Sequence, residues 1–397
     1  MSRRSSRRSS RLPLAGAALL CCMAATVVSH AQDTSSTFGG AFTARAMAFG
    51  SDGLAGFPDG WILGQSAGIS AGMIVRGQRS RAEASFAAAA MTGSPAALAR
   101  AAAISDPGLV VTGPAADEAA FSFRLRTLWA RLDLGSLRLQ AGRQVINHGR
   151  GALWSPADIF SQFDLSGVSP ERLGTDALRA SLSLGDLSTL EAVAAPRSDP
   201  ARGRYAARLS GNALGLDGSI LAAWEGKGSS TGRIVAAADC KFDLGAGLYA
   251  EGAVSVDPAA SVPLDSAQPR LALGFDWSFG DFFVASEYYW NGSGAKSDPA
   301  WPGRHWFQAS LAWSISDRAR LVAALTATPF DDTGNLDAER PWRAQASFAF
   351  DSSQNSSVLA FVDIARDSFA ALATVPAGGQ VTKSWARSLG ASLTVKF

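Results

Sequence analysis

The chain has 397 residues, with 36 Lys and Arg against 34 Asp and Glu, 40 Gly and 18% charged residues. Five of the arginines and none of the acids fall in residues 1–31, so what remains is 31 basic against 34 acidic side chains, a net charge of −3. That balance excludes a nucleic-acid binder working through a basic surface. Mean hydropathy of +0.08 without an apolar run of membrane-helix length beyond residue 31 excludes a helical membrane protein.

Residues 1–31 read as a secretory signal, leaving 32–397 as a single domain. Arg3, Arg4, Arg7, Arg8 and Arg11 form the positive n-region, 12–28 the apolar stretch, and Ser29-His30-Ala31 a small-x-small cleavage site before Gln32. Cys21 and Cys22 leave with this segment and Cys240 is then alone, so neither a disulfide framework nor a thiolate metal site is expected. No cofactor or metal is expected at all.

From about residue 37 the apolar side chains recur at every second position, the period of a strand. A first strand spans about 37–49. The stretch 82–90 is Ala-rich and could be helix; without the first strand and one other the count falls to sixteen. A short capped helix is expected at 94–104, inside a loop 93–118. In 121–134 the apolar face switches near Thr127, which calls for a bulge. In 137–146 Arg143 lands on the apolar face unless Gly142 opens a second bulge. Further on, alternation is clean. Leu178, Ala180, Leu182 and Leu184 oppose Arg179, Ser181 and Ser183; Ile234, Ala236, Ala238, Cys240 and Phe242 oppose Arg233, Asp239, Lys241 and Asp243. Leu271 to Phe279, Phe307 to Ile315, Trp342 to Phe350 and Leu389 to Phe397 repeat the pattern on their odd or even positions. Segments of this length suit tilted membrane-spanning strands with lipid on the apolar side and water on the polar side.

Short Gly, Asp and Ser turns alternate with longer stretches at 50–64, 93–118, 147–174, 197–202, 227–230, 257–268, 292–303, 329–339 and 367–383. Eight turns and nine loops give eighteen strands, with sixteen as the alternative. An even count lets the first strand close on the last, and a closed antiparallel up-and-down barrel leaves no unpaired edge in lipid. Trp224, Trp290, Trp306, Trp342 and Trp385 stand beside the long loops, and Phe242, Phe279, Phe282, Phe350 and Phe397 beside the short turns, as two interfacial aromatic girdles would.

On this alternation the inward, pore-lining positions carry Arg124, Arg126, Arg138, Arg179, Arg204, Arg208, Arg233, Lys241, Arg270, Arg320 and Arg343. They also carry Asp239, Asp243, Glu251, Asp276 and Glu287. A basic excess favours anions in a watery pore. Along the long loop 147–174 and its flanks Arg143, Arg150 and Arg172 alternate with Asp158, Asp164, Glu171 and Asp176, and Ser155-Pro156 resembles a helix start. It either folds into the lumen as a constriction, with Arg143, Asn147, His148, Arg150, Trp154 and Asp158 as its candidates, or is held by its own ion pairs and caps the barrel or packs outside it.

The terminal run Ala391-Ser392-Leu393-Thr394-Val395-Lys396-Phe397 resembles the assembly signal of bacterial outer-membrane barrels of porin type. The resemblance implies that Leu393, Val395 and Phe397 are read by the outer-membrane insertion machinery, and that the chain sits in outer-membrane lipid. A second stretch, Gly142-Arg143-Gln144-Val145-Ile146-Asn147-His148-Gly149-Arg150-Gly151 followed by Trp154-Ser155-Pro156-Ala157-Asp158-Ile159-Phe160, resembles a strand-to-loop motif of poorly characterised porin-like families. Those families usually carry an aromatic where His148 stands. That resemblance names no substrate; a diffusion channel for small hydrophilic solutes is expected because an eighteen-strand barrel is wide enough for water.

Chemical motifs are poor by comparison. Gly228-Ser229-Ser230-Thr231-Gly232 has the spacing of a nucleophile elbow but lies between two strands rather than a strand and a helix. The expected function is thus a channel for small, anionic solutes and not an enzyme. A non-channel surface barrel is the alternative, a membrane-embedded hydrolase centred on His148 the third reading, and a homo-oligomer stays open.

Overall fold

The computed structural model describes residues 35–52, 59–93, 96, 109–112, 119–160, 163–164, 171–197, 199–213, 215–228, 231–293, 301, 303–330, 340–366 and 385–397. The expected signal segment 1–31 and nearly all of the expected helix 94–104 lie outside them.

Twenty-one strands run through the described residues. They are β1 (Ser35–Asp52), β2 (Gly60–Arg76), β3 (Ser80–Thr92), β4 (Leu109–Thr112), β5 (Ala120–Leu134), β6 (Leu137–Gln144), β7 (Phe163–Asp164), β8 (Glu171–Arg172), β9 (Thr175–Ser183), β10 (Ser188–Ala195) and β11 (Arg204–Ala213). They continue as β12 (Leu216–Gly228), β13 (Thr231–Asp243), β14 (Gly247–Val256), β15 (Gln268–Phe279), β16 (Phe282–Asn291), β17 (His305–Ser316), β18 (Ala319–Ala327), β19 (Trp342–Ser353), β20 (Ser356–Arg366) and β21 (Trp385–Lys396). Leaving aside β4 and the β7–β8 hairpin, eighteen strands pair antiparallel with their sequence neighbours. The ring closes where β1 pairs β21, from Ala41↔Lys396 to Asp52↔Trp385. Closure satisfies the edges that an open sheet would leave bare.

The alternation of exposure follows the alternation of sequence. On β13, Ile234 is 44% exposed on the outer face, while Val235 is fully covered and Asp239 nearly so on the inner one. Tight hairpins join strands at one end of the barrel, for example at Gly245, whose φ of +82° suits glycine. β1 begins and β21 ends at that same end, where Phe38 packs on Phe397 with ring centroids 6.2 Å apart. Apolar clusters pack inside the barrel: Ile146, Ala157, Phe160, Val193, Leu221 and Val235 form one, and Trp154, Tyr289, Trp301 and Trp306 anchor another.

Four expectations are corrected. Residues 82–90 are strand, within β3, because one face of the Ala-rich run packs between β2 and β5. The loop 93–118 contains β4, which pairs with β5. Ser155-Pro156 starts a turn, closed by the Asp158 N–H to the Ser155 carbonyl at 3.0 Å, and no helix follows among the described residues. Trp306 does not belong to the outer girdle. Its neighbour Phe307 is outward and 38% exposed, so Trp306 points inward and is fully buried. The bulge expected near Thr127 is present as a register shift opposite Ser85 and Phe86.

Candidate functional site

β6 stops at Gln144 and the chain turns into the barrel. Gln144 is held by its side-chain N–H to the Ala177 carbonyl at 3.1 Å. Ile146, His148, Trp154, Pro156, Ala157 and Phe160 then disappear against the inner wall, while Asn147 stays exposed and accepts the Gly149 N–H at 3.1 Å. A loop in such a place carries backbone donors that strand pairing cannot satisfy. The wall carries carboxylates whose burial is costly without partners. Each solves the other's problem.

Glu251, in the middle of β14, accepts the Arg150 N–H at 2.8 Å, the Ala157 N–H at 2.6 Å and the Ser155 hydroxyl at 2.9 Å. Glu287, in the middle of β16, accepts the N–H groups of Ala152 at 2.5 Å, Leu153 at 2.9 Å and Trp154 at 3.3 Å, and also the Tyr249 hydroxyl. Asp239 on β13 accepts Arg150 Nε at 2.6 Å and Arg208 Nη2 at 3.3 Å. These are charge-assisted bonds, the stronger kind. Trp154 adds apolar fixation, stacking on Tyr289 at 5.7 Å and meeting Trp301 edge-on at 5.3 Å.

At the other side of the loop His148 Nε2 meets Glu191 Oε1 at 2.7 Å, and its ring packs edge-on against Phe160 at 5.3 Å. Glu191 also accepts Arg179 Nε at 2.6 Å and the Ser181 hydroxyl at 3.3 Å. Arg172 binds the Asp158 carboxylate and the Gly151 carbonyl, the latter at 3.1 Å. Strands β10, β13, β14 and β16 therefore all hold one loop, which lies across the inside of the barrel well within the strands' span.

The turn 149–151 needs glycine for room rather than for torsion. A Cβ on Gly149 would overlap the Ser155 hydroxyl, and one on Gly151 the Trp154 carbonyl. Gly151→Ala is expected to undock the loop while the barrel still folds. Trypsin should then cut after Arg150 in the variant and leave the parent chain whole; an intact variant would show that the turn tolerates the methyl group.

The inward register places the sequence-derived residues as follows. Arg179, Arg204, Arg208 and Arg233 surround the loop: Arg204 Nη1 reaches the Phe160 carbonyl at 3.4 Å, and Arg233 Nε binds Glu225 at 2.5 Å. Lys241 and Asp276 pair at 3.4 Å, and Arg343 binds Asp363 at 2.7 Å. Arg270 is buried. Arg138 sits at the hairpin end with Asp133 at 2.7 Å. Arg124 and Arg126 line a cavity in the wall.

Two assignments are corrected. Asp239 and Glu287 do not border open space, because the loop covers both. Arg143 is no part of the docked loop. With φ of +118° at Gly142, Arg143 falls on the outer register opposite Leu128 and Asp176 and grips the Asp176 carboxylate at 3.0 and 2.8 Å. Sequence reading had missed Glu191, Glu225 and Asp363. The signal was there, since Glu191 lies between outward Leu190 and Ala192 on a period-2 strand.

No protein-family model matches the sequence, and comparison with curated proteins gives no match. Solved structures do resemble the fold. Pseudomonas aeruginosa OccK5 (OpdH) superposes with a TM-score of 0.54 at 8% identity, over 91% of this chain and 98% of that one. Acinetobacter baumannii OccAB4 gives 0.53 at 10% identity over 91% and 98%. OpdK of P. aeruginosa, an outer membrane protein solved with vanillate, gives 0.51 at 11% identity over 91% and 99%. At such identities the likeness is one of fold.

Proposed function

We propose that the protein is an outer-membrane channel for passive diffusion of small, hydrophilic, anionic solutes. The observation that carries the reading is the loop 145–160 docked inside a closed eighteen-strand barrel, which narrows a lumen otherwise wide enough for water. The inner carboxylates Glu251 and Glu287 are used up on loop backbone, and Asp239, Glu191, Glu225 and Asp363 on arginines or His148. The wall's remaining character is set by arginine, which favours anions. Vanillate, found with OpdK, is an aromatic carboxylate and fits that expectation.

The same reading assigns residues 1–31 to export and cleavage, the outer face to outer-membrane lipid, and Leu393, Val395 and Phe397 to recognition by the insertion machinery. It requires no bond-making chemistry. Planar-bilayer recording of the refolded chain in a salt gradient tests it: discrete channels with anion-selective reversal potentials are expected. A silent barrel would favour the surface-structural alternative. Arg150 puts a half-buried guanidinium beside Asp239 in the narrowed region. Arg150→Ala should therefore shift reversal potentials toward cations without loss of folding, and an unchanged potential would remove this residue from the selectivity filter.

A further inference from the structure

A polar side chain stands on the outer wall where lipid is expected. On β2 the odd-numbered residues face outward: Ile69 is 43% and Met73 46% exposed, and Gln65, on the same register, is exposed with them. Trp61, opposite Gly50 at the long-loop end, precedes Gln65 by four residues, and Met73, opposite Phe38 at the short-turn end, follows it by eight. A tilted strand crosses the apolar part of a bilayer in about 9–11 residues. The Gln65 amide therefore lies inside the hydrocarbon band, where no water satisfies it. It has no hydrogen-bond partner among the described residues, and neither has Thr92, its cross-strand neighbour on β3. Other polar side chains on the outer register are provided for within the chain. Ser286 Oγ donates to the Gln308 carbonyl at 3.1 Å, the Tyr288 hydroxyl meets His305 Nδ1 at 2.9 Å, and Arg143 grips Asp176 at 2.8 Å.

We propose that Gln65 marks the centre of an interface between two copies of this chain, with β1–β3 of one barrel against the same strands of the other. A carboxamide both donates and accepts. Across a two-fold axis each Gln65 can bond the amide of its counterpart, which is the self-complementarity a symmetric dimer requires. Lipid tails offer neither donor nor acceptor. The surroundings allow the approach: Ala44, Ala46 and Ala48 on β1, Ala67 on β2, and Ala88 and Ala90 on β3 share the outward register. On β15 and β16 the outward positions hold Leu273, Phe275, Tyr288 and Trp290 instead. Small side chains let backbones come close in lipid, within reach of interchain hydrogen bonds. The alanines alone choose no partner; the unsatisfied amide among them does. The inference needs only that the outer face meets lipid, and it does not depend on whether the lumen conducts.

The test is energy transfer between refolded chains labelled with donor or acceptor at the terminal amine and mixed in lipid vesicles. Transfer is expected to rise with the protein-to-lipid ratio, to fall when unlabelled chain is added, and to vary linearly with the acceptor fraction, as in a dimer. Gln65→Leu should weaken association about tenfold, through loss of the paired interchain hydrogen bonds. Ser286→Ala removes an outward hydroxyl that is already bonded within its own chain, and should associate like the parent. Heat-modifiable migration on gels verifies that both variants are folded barrels. Parental transfer no greater than random co-residence gives, undiminished transfer in Gln65→Leu, an equal loss in Ser286→Ala, or a curved dependence on acceptor fraction would each overturn the proposal. Competition by unlabelled parent chain needs no variant at all, and transfer insensitive to it would overturn the proposal as well.

Discussion

Replacing Glu251 and Glu287 together by alanine is expected to raise single-channel conductance severalfold while leaving a folded barrel. Each of these carboxylates accepts three bonds from the loop, including the backbone N–H groups of Arg150, Ala157, Ala152, Leu153 and Trp154. A hydrogen bond to a charged group contributes about 1.5–3 kcal/mol, and a buried donor left alone loses about 1–3 kcal/mol. With both acceptors gone, the docked loop holds five unsatisfied backbone donors against the wall. The undocked loop returns them to water. What remains to hold it is the Arg150–Asp239 and His148–Glu191 pairs, the Trp154 stack and the apolar packing of Ile146 and Phe160, which anchor its two ends but not the turn 150–157 between them. The strand ladders use none of these groups, so the barrel persists, and heat-modifiable migration on gels checks this. Bilayer recordings then read the lumen directly. Parental conductance in a folded double variant would mean that the loop does not limit passage. Either single variant should show an intermediate, noisier current, since one carboxylate still tethers half of the loop.

How much of this was legible in the sequence depends on the range of the interaction. The barrel was legible because lipid and water impose a period of two on every strand, and positions such as Ile234 and Asp239 show it without knowledge of their neighbours. The strand number followed from counting turns. The docked loop was half legible: the glycines 149 and 151 mark a crowded turn, but its acceptors Glu251 and Glu287 lie 94 to 135 residues away and read only as pore charges. Spacing along one chain carries no information about which inward carboxylate will meet which loop donor. The irregular pairing around β5 was visible in two places, the switch near Thr127 and the stranded Arg143. That they adjoin each other needs the sheet. Trp306 stands beside a long loop as the girdle residues do, but it alternates with outward Phe307, and parity decides the face.

Glu191→Ala should lower stability by about 3–5 kcal/mol, the cost of removing one partner from a buried ion pair. Glu191 is itself buried and holds His148, Arg179 and Ser181 at once. Its removal leaves the Arg179 guanidinium with neither full hydration nor a counter-charge, and frees His148 from its only described hydrogen bond on Nε2. The cavity is small, so packing loss is secondary. Glu191→Gln separates the effects: it keeps size and one acceptor but not charge, and should lie between the parent chain and the alanine variant. Asp133→Ala is the matching control. Asp133 pairs with Arg138 and Arg131 at the hairpin end, where Arg138 is 55% exposed, and such pairs contribute about 0–1 kcal/mol. Urea unfolding in lipid vesicles, followed by tryptophan fluorescence, measures all three. The contrast between Glu191 and Asp133 is the decisive quantity, because both carry two arginine or histidine partners and differ in burial. Equal small losses would mean that water reaches Glu191, and hence that the loop does not seal against β10.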